Sequence, residues 1–363
     1  MNQTEDLLKK VLGGYQLRFE EAVSIYLDTP DAMLFYYANE FRKRIHPGGK
    51  VGWIIDRNVN ITNVCYSFCK FCNFCRKSSD EDSYITSLDQ YRAKIRELFK
   101  LGGNQLLLQG GMHPKLGLDY YTGLFKQLKE EFPQLRLHAL GPPEVVHLAK
   151  MEGRSYRDIL RALLKSGMDS LPGAGAEILV DRIRQRISPA KGTVDEWLEV
   201  MREAHKLNII TSATMMYGHV EEPGDRIEHL IKLREVQDEK PEGSYGFLSF
   251  IPWPYMDEGT LLREKEGVRA NYDRRSYLRL IAISRLVLTN VIHIQASWLT
   301  AGRETGQLGL HTGADDFGSI MIEENVVSSA GASNKMDAVS IKEAIIEAGF
   351  EPYQRNQLFE SIG

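Results

Sequence analysis

The chain is poor in cysteine: its 363 residues hold only four. It carries no large excess of either sign of charge, the formal net charge being −4 at pH 7. No uninterrupted apolar run is long enough to span a bilayer, and the opening Met-Asn-Gln-Thr-Glu-Asp lacks a charged-then-apolar leader pattern. Each absence excludes something. Without a basic field, nucleic acid and anionic membrane surfaces are not expected partners. Reduced thiols and the missing leader point to the cytoplasm. No low-complexity linker or internal repeat divides the chain, so one main body is expected. The hydrophobic content of 43% and charged content of 26% are those of an ordinary globular protein with a substantial core.

What cysteine there is lies together. Cys65, Cys69, Cys72 and Cys75 fall within eleven positions, the first three spaced C-x3-C-x2-C. A disulfide framework does not suit a large chain whose cysteines are so close. Structural zinc is the main competitor, but it draws four ligands, usually from two separated knuckles. No second knuckle exists, and His46 and His113 do not stand at finger spacing. Three thiolates from one tight loop suit a cubane [4Fe–4S] cluster with one iron left without a protein ligand. That iron is open to a small molecule. Cys75 as fourth ligand would close it, as in a ferredoxin, so Cys75 is read as a free thiol.

The first fifty residues read as helical. A stripe of Leu7, Leu8, Val11 and Leu12 stops at Gly13-Gly14; a second segment carries Phe19, Ala22, Val23 and Ile25; a third opens at Pro30 and breaks at His46-Pro47-Gly48-Gly49. A repeating order of β-rich run, turn and amphipathic stretch follows. Strands are predicted at 51–56, 105–109, 135–140, 169–171, 209–216, 246–251, 293–298 and 317–321. Helices are predicted between them, including 118–131, 193–206, 225–237 and 274–288, and one capped by Ser87. Eight strand–helix units are the count of a (β/α)8 TIM-type barrel. The expected architecture is therefore α/β, with residues 1–50 as an N-terminal helical extension and 51–363 as the barrel with C-terminal additions.

In such a barrel the loops after the strands gather on one face and carry the chemistry. The cysteine loop follows the first strand and Gly110-Gly111 the second. Those glycines form either a tight turn at positive φ or bare backbone for a ligand's amine or carboxylate. Glu177, after the fourth strand, is placed to accept from a ribose or an amine. His219, Glu221 and Glu323 are candidate bases by type and strand-end position, although His219 reads equally as a satisfied structural histidine. Tyr217, Trp253, Ser297 and Trp298 are candidates for the substrate wall. His147, His205 and His229 read as surface or packing residues of helices.

Taken together these residues resemble the radical S-adenosylmethionine (SAM) superfamily: the C-x3-C-x2-C loop with Phe71 before its last cysteine, and Gly110-Gly111 after the next strand. A narrower resemblance lies in DRNVNITNVC, LLLQGGMHP, GHVEEPGDRIEHL, IQASWLTAG and DDFGSIMIEENVVSSAGA. These stretches are similar to the dehypoxanthine futalosine cyclases (cyclic dehypoxanthinylfutalosine synthases) of menaquinone biosynthesis, over nearly the whole chain from Leu7 to Phe359. Cys75 departs from that family's pattern.

The resemblance implies a [4Fe–4S] cluster on Cys65, Cys69 and Cys72, with SAM on the fourth iron. It implies that Phe71 touches the adenine, Gly110-Gly111 receive the methionine amine, and Glu177 meets the ribose or the amine end. The implied reaction begins with a 5′-deoxyadenosyl radical that takes hydrogen from C4′ of dehypoxanthine futalosine; the carbon radical then closes onto the attached benzoate ring. Electrons would come from a carrier such as flavodoxin or ferredoxin. The alternatives are an aminofutalosine synthase, a tyrosine-cleaving deazaflavin synthase subunit, or a zinc-stabilised binding module. Replacing Cys65, Cys69 or Cys72 by alanine is expected to abolish SAM cleavage, scored as 5′-deoxyadenosine released by the reduced enzyme. Cys75→Ala is expected to retain it; an equal loss there would reassign the ligands.

Overall fold

Three helices open the chain, α1 (Asn2–Leu12), α2 (Phe19–Asp28) and α3 (Asp31–Ile45), in a computed structural model that describes residues 2–362. They break where the sequence forbids continuation: at Gly13-Gly14, with Gly14 at φ 98°, and at Pro30, the N-cap of α3. Their buried faces (Leu8 and Val11, Ile25 and Tyr26, Leu34 and Phe41) belong to the same apolar core as the rest of the chain. Buried arginines from the helices Pro223–Asp238 and Arg274–Val287 fasten them. Arg234 Nη1 donates to the Leu17 carbonyl at 2.9 Å, and Arg279 Nη1 donates to that of Thr29 at 2.9 Å and pairs with Asp31.

The strands are β1 (Lys50–Ile54), β2 (Asp56–Asn60), β3 (Gln105–Gln109), β4 (Arg136–Ala139), β5 (Ser170–Leu171), β6 (Ile210–Tyr217), β7 (Phe247–Pro254), β8 (His293–Ile294), β9 (Asp316–Ser319) and β10 (Glu351–Gln354). Strands β2 to β8 form one parallel seven-stranded sheet in sequence order. The eighth unit, β9, meets this sheet through single bridges: Gln295↔Asp316 on the β8 side and Arg57↔Ile322 on the β2 side. Its fuller pairing is with β1, which pairs in turn with β10, all parallel. The barrel thus closes through a thin seam, with a three-stranded sheet attached where β1 runs into β2.

The predicted first strand is in fact two, and the one that feeds the cysteine loop is β2. Its sequence, Asp-Arg-Asn-Val-Asn, carries one apolar residue, so hydrophobic periodicity passes over it, yet all five residues are buried. Asp56 and Asn58 face the barrel interior, whereas Arg57 faces outward to Glu97 at 2.5 Å. The predicted Ser87 cap is present as a reciprocal capping box with Gln90. The helix predicted at 118–131 is observed as Leu118–Glu131. The helix Pro142–Glu152 begins inside what was expected to be a strand-end loop. His147, His205 and His229 are packing residues, all buried; His229 Nδ1 accepts from the Leu179 amide at 3.0 Å.

Just before β9, Asp315 accepts from fully buried Arg285, from the Ile294 amide at 2.8 Å and from His293 Nδ1 at 2.6 Å. Burial alone would raise its carboxyl, but Arg285 and His293 outweigh that and hold it well below the usual carboxylate range. A depressed carboxylate stabilises the fold above its unfolded value of about 4, and that contribution is lost as pH falls below it. Asp315→Ala, which strands Arg285 without its partner, is expected to cost about 3–5 kcal/mol in chemical denaturation at pH 7. The deficit relative to wild type should shrink as the titration is carried below pH ~4.

Candidate active site

The cysteine loop is clamped at both ends before any cofactor enters. Thr62 Oγ1 donates to the Tyr84 carbonyl at 2.6 Å, Asn63 Nδ2 to that of Asp82 at 2.8 Å, and the Cys65 amide to that of Arg76 at 3.1 Å. From the opposite side, the Lys70 amide donates to the Ile187 carbonyl at 2.8 Å, and the Leu262 amide to the Lys70 carbonyl at 2.8 Å. The loop therefore presents Cys65, Cys69 and Cys72, with Phe71, to a cavity of about 360 Å³ inside the barrel.

The glycines explain how the loop sits so close to β3. Neither Gly110 nor Gly111 has positive φ, so the tight-turn reading falls. A Cβ on Gly111 would lie 2.2 Å from the Val64 carbonyl oxygen, and one on Gly110 2.9 Å from that of Thr62. The missing side chains let β3 pass against the root of the cysteine loop, held by the Gly111 amide on the Thr62 carbonyl at 2.7 Å. Both glycines also line the cavity.

The thiols fit a cluster better than a single ion. Among the described residues, only His46, His293 and Asp315 bring three ligand atoms within 4.8 Å of one another, and that trio is already engaged with Arg285. No three cysteine sulfurs lie within 4.8 Å of one another, wider than one tetrahedral zinc with bonds of about 2.3 Å would draw them. Burial pushes the Cys69 thiol up to about 11 and raises that of Cys72. Cationic metal is what would hold them as thiolates. Cys65 is drawn down to about 6, chiefly by its hydrogen bond from Cys75. Cys75 Sγ also donates to the Cys65 carbonyl at 3.2 Å, so it serves Cys65 as a donor.

Beside the thiols stand groups suited to a charged amino-acid sulfonium. Glu177, buried and at φ 46°, receives Lys191 Nζ on Oε1 at 2.5 Å. Lys191 lies 5.3 Å from the Phe71 ring centroid. Burial opposes the Lys191 charge, but Glu177 more than restores it. Glu144 lines the same wall, its carboxyl pushed up to about 7 by burial. Sequence reading missed Lys191, which has no motif around it. It placed Glu144 at the end of the loop after the third strand without a role; that residue sits in the first turn of an unpredicted helix.

Trp253, Ser297 and Trp298 line the cavity, with Trp298 Nε1 donating to the Ser319 carbonyl at 3.2 Å. The remaining candidates do not reach it. Tyr217 is buried behind the wall, with the Arg226 guanidinium 4.9 Å from its ring centroid. Glu221 accepts from the amides of Gly218 at 2.6 Å and His219 at 2.9 Å and from Arg226 at 2.7 Å, while His219 Nε2 bonds the Met216 carbonyl at 3.1 Å. These two brace the turn after β6. Glu323 pairs on the outside of the ring with Arg57, at 2.7 Å, and with Lys94. The titratable side chains that do line the cavity include Asp56, His138 and Arg355. Burial takes His138 down to about 3, so it is a neutral imidazole bonded to Ser170 Oγ at 2.7 Å.

Residues 59–233 match the Radical SAM superfamily, and residues 244–362 match the CofH/MqnC C-terminal region. The cyclic dehypoxanthine futalosine synthase of Streptomyces coelicolor is 42% identical over 361 residues, covering 99% of this chain and 88% of the relative. The chain belongs to the radical SAM superfamily. This radical SAM enzyme depends on a [4Fe–4S] cluster and SAM. The 5-amino-6-(D-ribitylamino)uracil–L-tyrosine 4-hydroxyphenyl transferase 1 of Methanosarcina barkeri is 36% identical, over 99% of this chain and 94% of its own length. The aminodeoxyfutalosine synthase of Thermus thermophilus is 35% identical, over 98% and 95%. The crystal structure of methylornithine synthase (PylB) superposes with a TM-score of 0.70 at 18% identity, covering 97% of this chain and 98% of that one, and shares the fold. Among the described residues, no helix of the radical SAM enzyme is long and apolar enough to cross a membrane.

Gly111→Ala is expected to lower stability by about 1–3 kcal/mol and to reduce the iron retained after anaerobic reconstitution. Gly123→Ala is the control: it lies at an exposed position of the helix Leu118–Glu131 with nothing within 4 Å of the added carbon, and should gain up to about 1 kcal/mol with iron content unchanged.

Proposed function

We propose that this radical SAM enzyme is a cyclase, converting dehypoxanthine futalosine to cyclic dehypoxanthinylfutalosine. The observation that carries the reading is the 42% identity to the Streptomyces coelicolor synthase across 99% of this chain, against 35–38% for the sister activities. When bound, the cluster and SAM supply one-electron cleavage of a sulfonium and, from it, removal of a hydrogen atom from carbon.

The chain's own residues bind, orient and exclude. Cys65, Cys69 and Cys72 hold the cluster. Glu177, Lys191, Phe71 and the backbone at Gly110-Gly111 take the amino-acid and nucleoside parts of SAM. Trp253 and Trp298 keep water from the reacting carbon, and a fixed substrate pose selects which hydrogen is lost. Glu144, raised to about 7, is a cavity carboxyl able to take up at Oε the proton released when the aromatic ring is restored, while the electron lost with that proton would return to the cluster, left oxidised by the cleavage of SAM. The enzyme works in the cytoplasm on electrons from a flavodoxin or ferredoxin.

Anaerobic, reduced, reconstituted enzyme given SAM and dehypoxanthine futalosine should release free 5′-deoxyadenosine and a cyclised product, resolved by mass spectrometry. A product that retains adenosyl carbon would replace this reading with the aminofutalosine synthase. Turnover that requires tyrosine would replace it with the transferase.

A further inference from the structure

The C-terminal segment enters the cavity from the end opposite the cysteines. Strand β10 lies along β1 from Lys50↔Glu351 to Trp53↔Gln354, and the Arg355 amide continues that pairing onto the Trp53 carbonyl at 2.9 Å. Beyond it, Arg355 and Gln357 line the cavity beside Asp56 and Gln105, the first residues of β2 and β3. The thiols stand past the other end of those strands. At about 3.3 Å per residue, β2 separates this floor from the root of the cysteine loop by roughly 13 Å.

The floor is built around the guanidinium. Arg355 Nε and Nη2 donate to Asp316 at 2.5 and 2.8 Å, and Nη1 donates to the Asn356 carbonyl at 3.1 Å. A guanidinium has five N–H groups, so two remain. The Phe359 ring centroid lies 3.9 Å from the guanidinium carbon, and Phe359 stacks in turn on His293 at 3.6 Å. A Cβ on Gly52 would sit 2.5 Å from Asp316 Oδ2 and 3.1 Å from Arg355 Cδ, so bare backbone makes room for the pair. Gln105 Nε2 donates to Gln357 Oε1 at 3.1 Å, which orients that amide and leaves its NH2 group unengaged. Asp56 accepts from Ser319, and burial raises its carboxyl toward the neutral form. The donors left over at the floor are N–H groups on a fixed frame, and the Asp316 charge is already matched.

We propose that Arg355 and Gln357 are specificity residues that receive a carboxylate at the far end of the substrate. The substrate class is an elongated acid whose reacting C–H lies near the cysteines while its anionic end reaches the barrel floor. This rests on the cyclase reading, in which that end is a benzoate. A guanidinium and an amide that share one carboxylate give charge-assisted bonds, the strong kind in a site closed to water. If the Arg355–Asp316 pair only braced the C-terminal segment, neutralising the substrate's carboxylate would not change binding.

Binding to the full-length enzyme, cluster-reconstituted, SAM-loaded and left unreduced so that no turnover occurs, is measured by calorimetry. The two ligands are dehypoxanthine futalosine and its carboxamide. Wild type should bind the acid about tenfold to a hundredfold more tightly than the amide. Arg355→Gln should bring that ratio near one, and Gln357→Leu should lower it about tenfold. Melting and cluster absorbance show whether each variant folds. Should Arg355→Gln fail to fold, Gln357→Leu decides, since it removes no buried charge. Equal binding of acid and amide by wild type, or a folded Gln357→Leu that keeps the wild-type ratio, overturns the proposal while leaving the cyclase reading intact. If neither ligand binds wild type, the cyclase reading falls and this proposal with it.

Discussion

Where the end of β3 runs past the root of the cysteine loop, two backbones lie too close for any side chain, and the position of all the thiols follows from that contact. A carbonyl at Val64 sits where a methyl on Gly111 would have to be. The loop is then closed off by bonds from Thr62, Asn63 and Cys65 to the returning segment of residues 76–85. Thiolate ligands are mobile on an open loop; here their backbone is fixed first, and the metal's requirement is met by three side chains alone. The ordering entropy is largely settled on folding rather than on cofactor binding.

Much of this was legible in the sequence and some was not. The cysteine spacing, the Gly-Gly after a continuous apolar run and the alternation of strand and helix patterns survive because each is a local signal with few readings. Strand β2 was not legible, because a parallel barrel strand can face polar side chains toward an interior cavity, and its burial then leaves no hydrophobic trace. The same blindness hid Asp56, and with it the floor of the site. His219, Glu221 and Glu323 were chosen for residue type at strand ends. The chain uses that chemistry for fastening instead: Glu221 gathers two amides and Arg226, and Glu323 gathers Arg57 and Lys94. A carboxylate whose acceptors are filled has little left to offer a substrate. Only the three-dimensional placement separates it from Glu144, which the sequence left without a role.

Three buried charge pairs in this chain join residues 14, 30 and 39 positions apart. Arg285 meets Asp315, Arg355 meets Asp316, and Lys191 meets Glu177. Such pairs add little net stability compared with apolar packing, but each fixes the relative placement of the two segments it joins. In a barrel whose interior is partly polar, they hold the cavity open where larger apolar side chains would otherwise collapse into it.

Asp316 belongs to two systems at once. Its backbone provides the single bridge to Gln295 that joins the last unit of the ring to its neighbour, and its carboxylate grips Arg355, just past the chain's final strand. Ring closure and the tail are therefore one mechanical joint. Trimming the C-terminal dozen residues would not simply shorten an appendage; it would leave an unmatched anion in the weakest seam of the barrel, at the point where the staves are least tightly hooped.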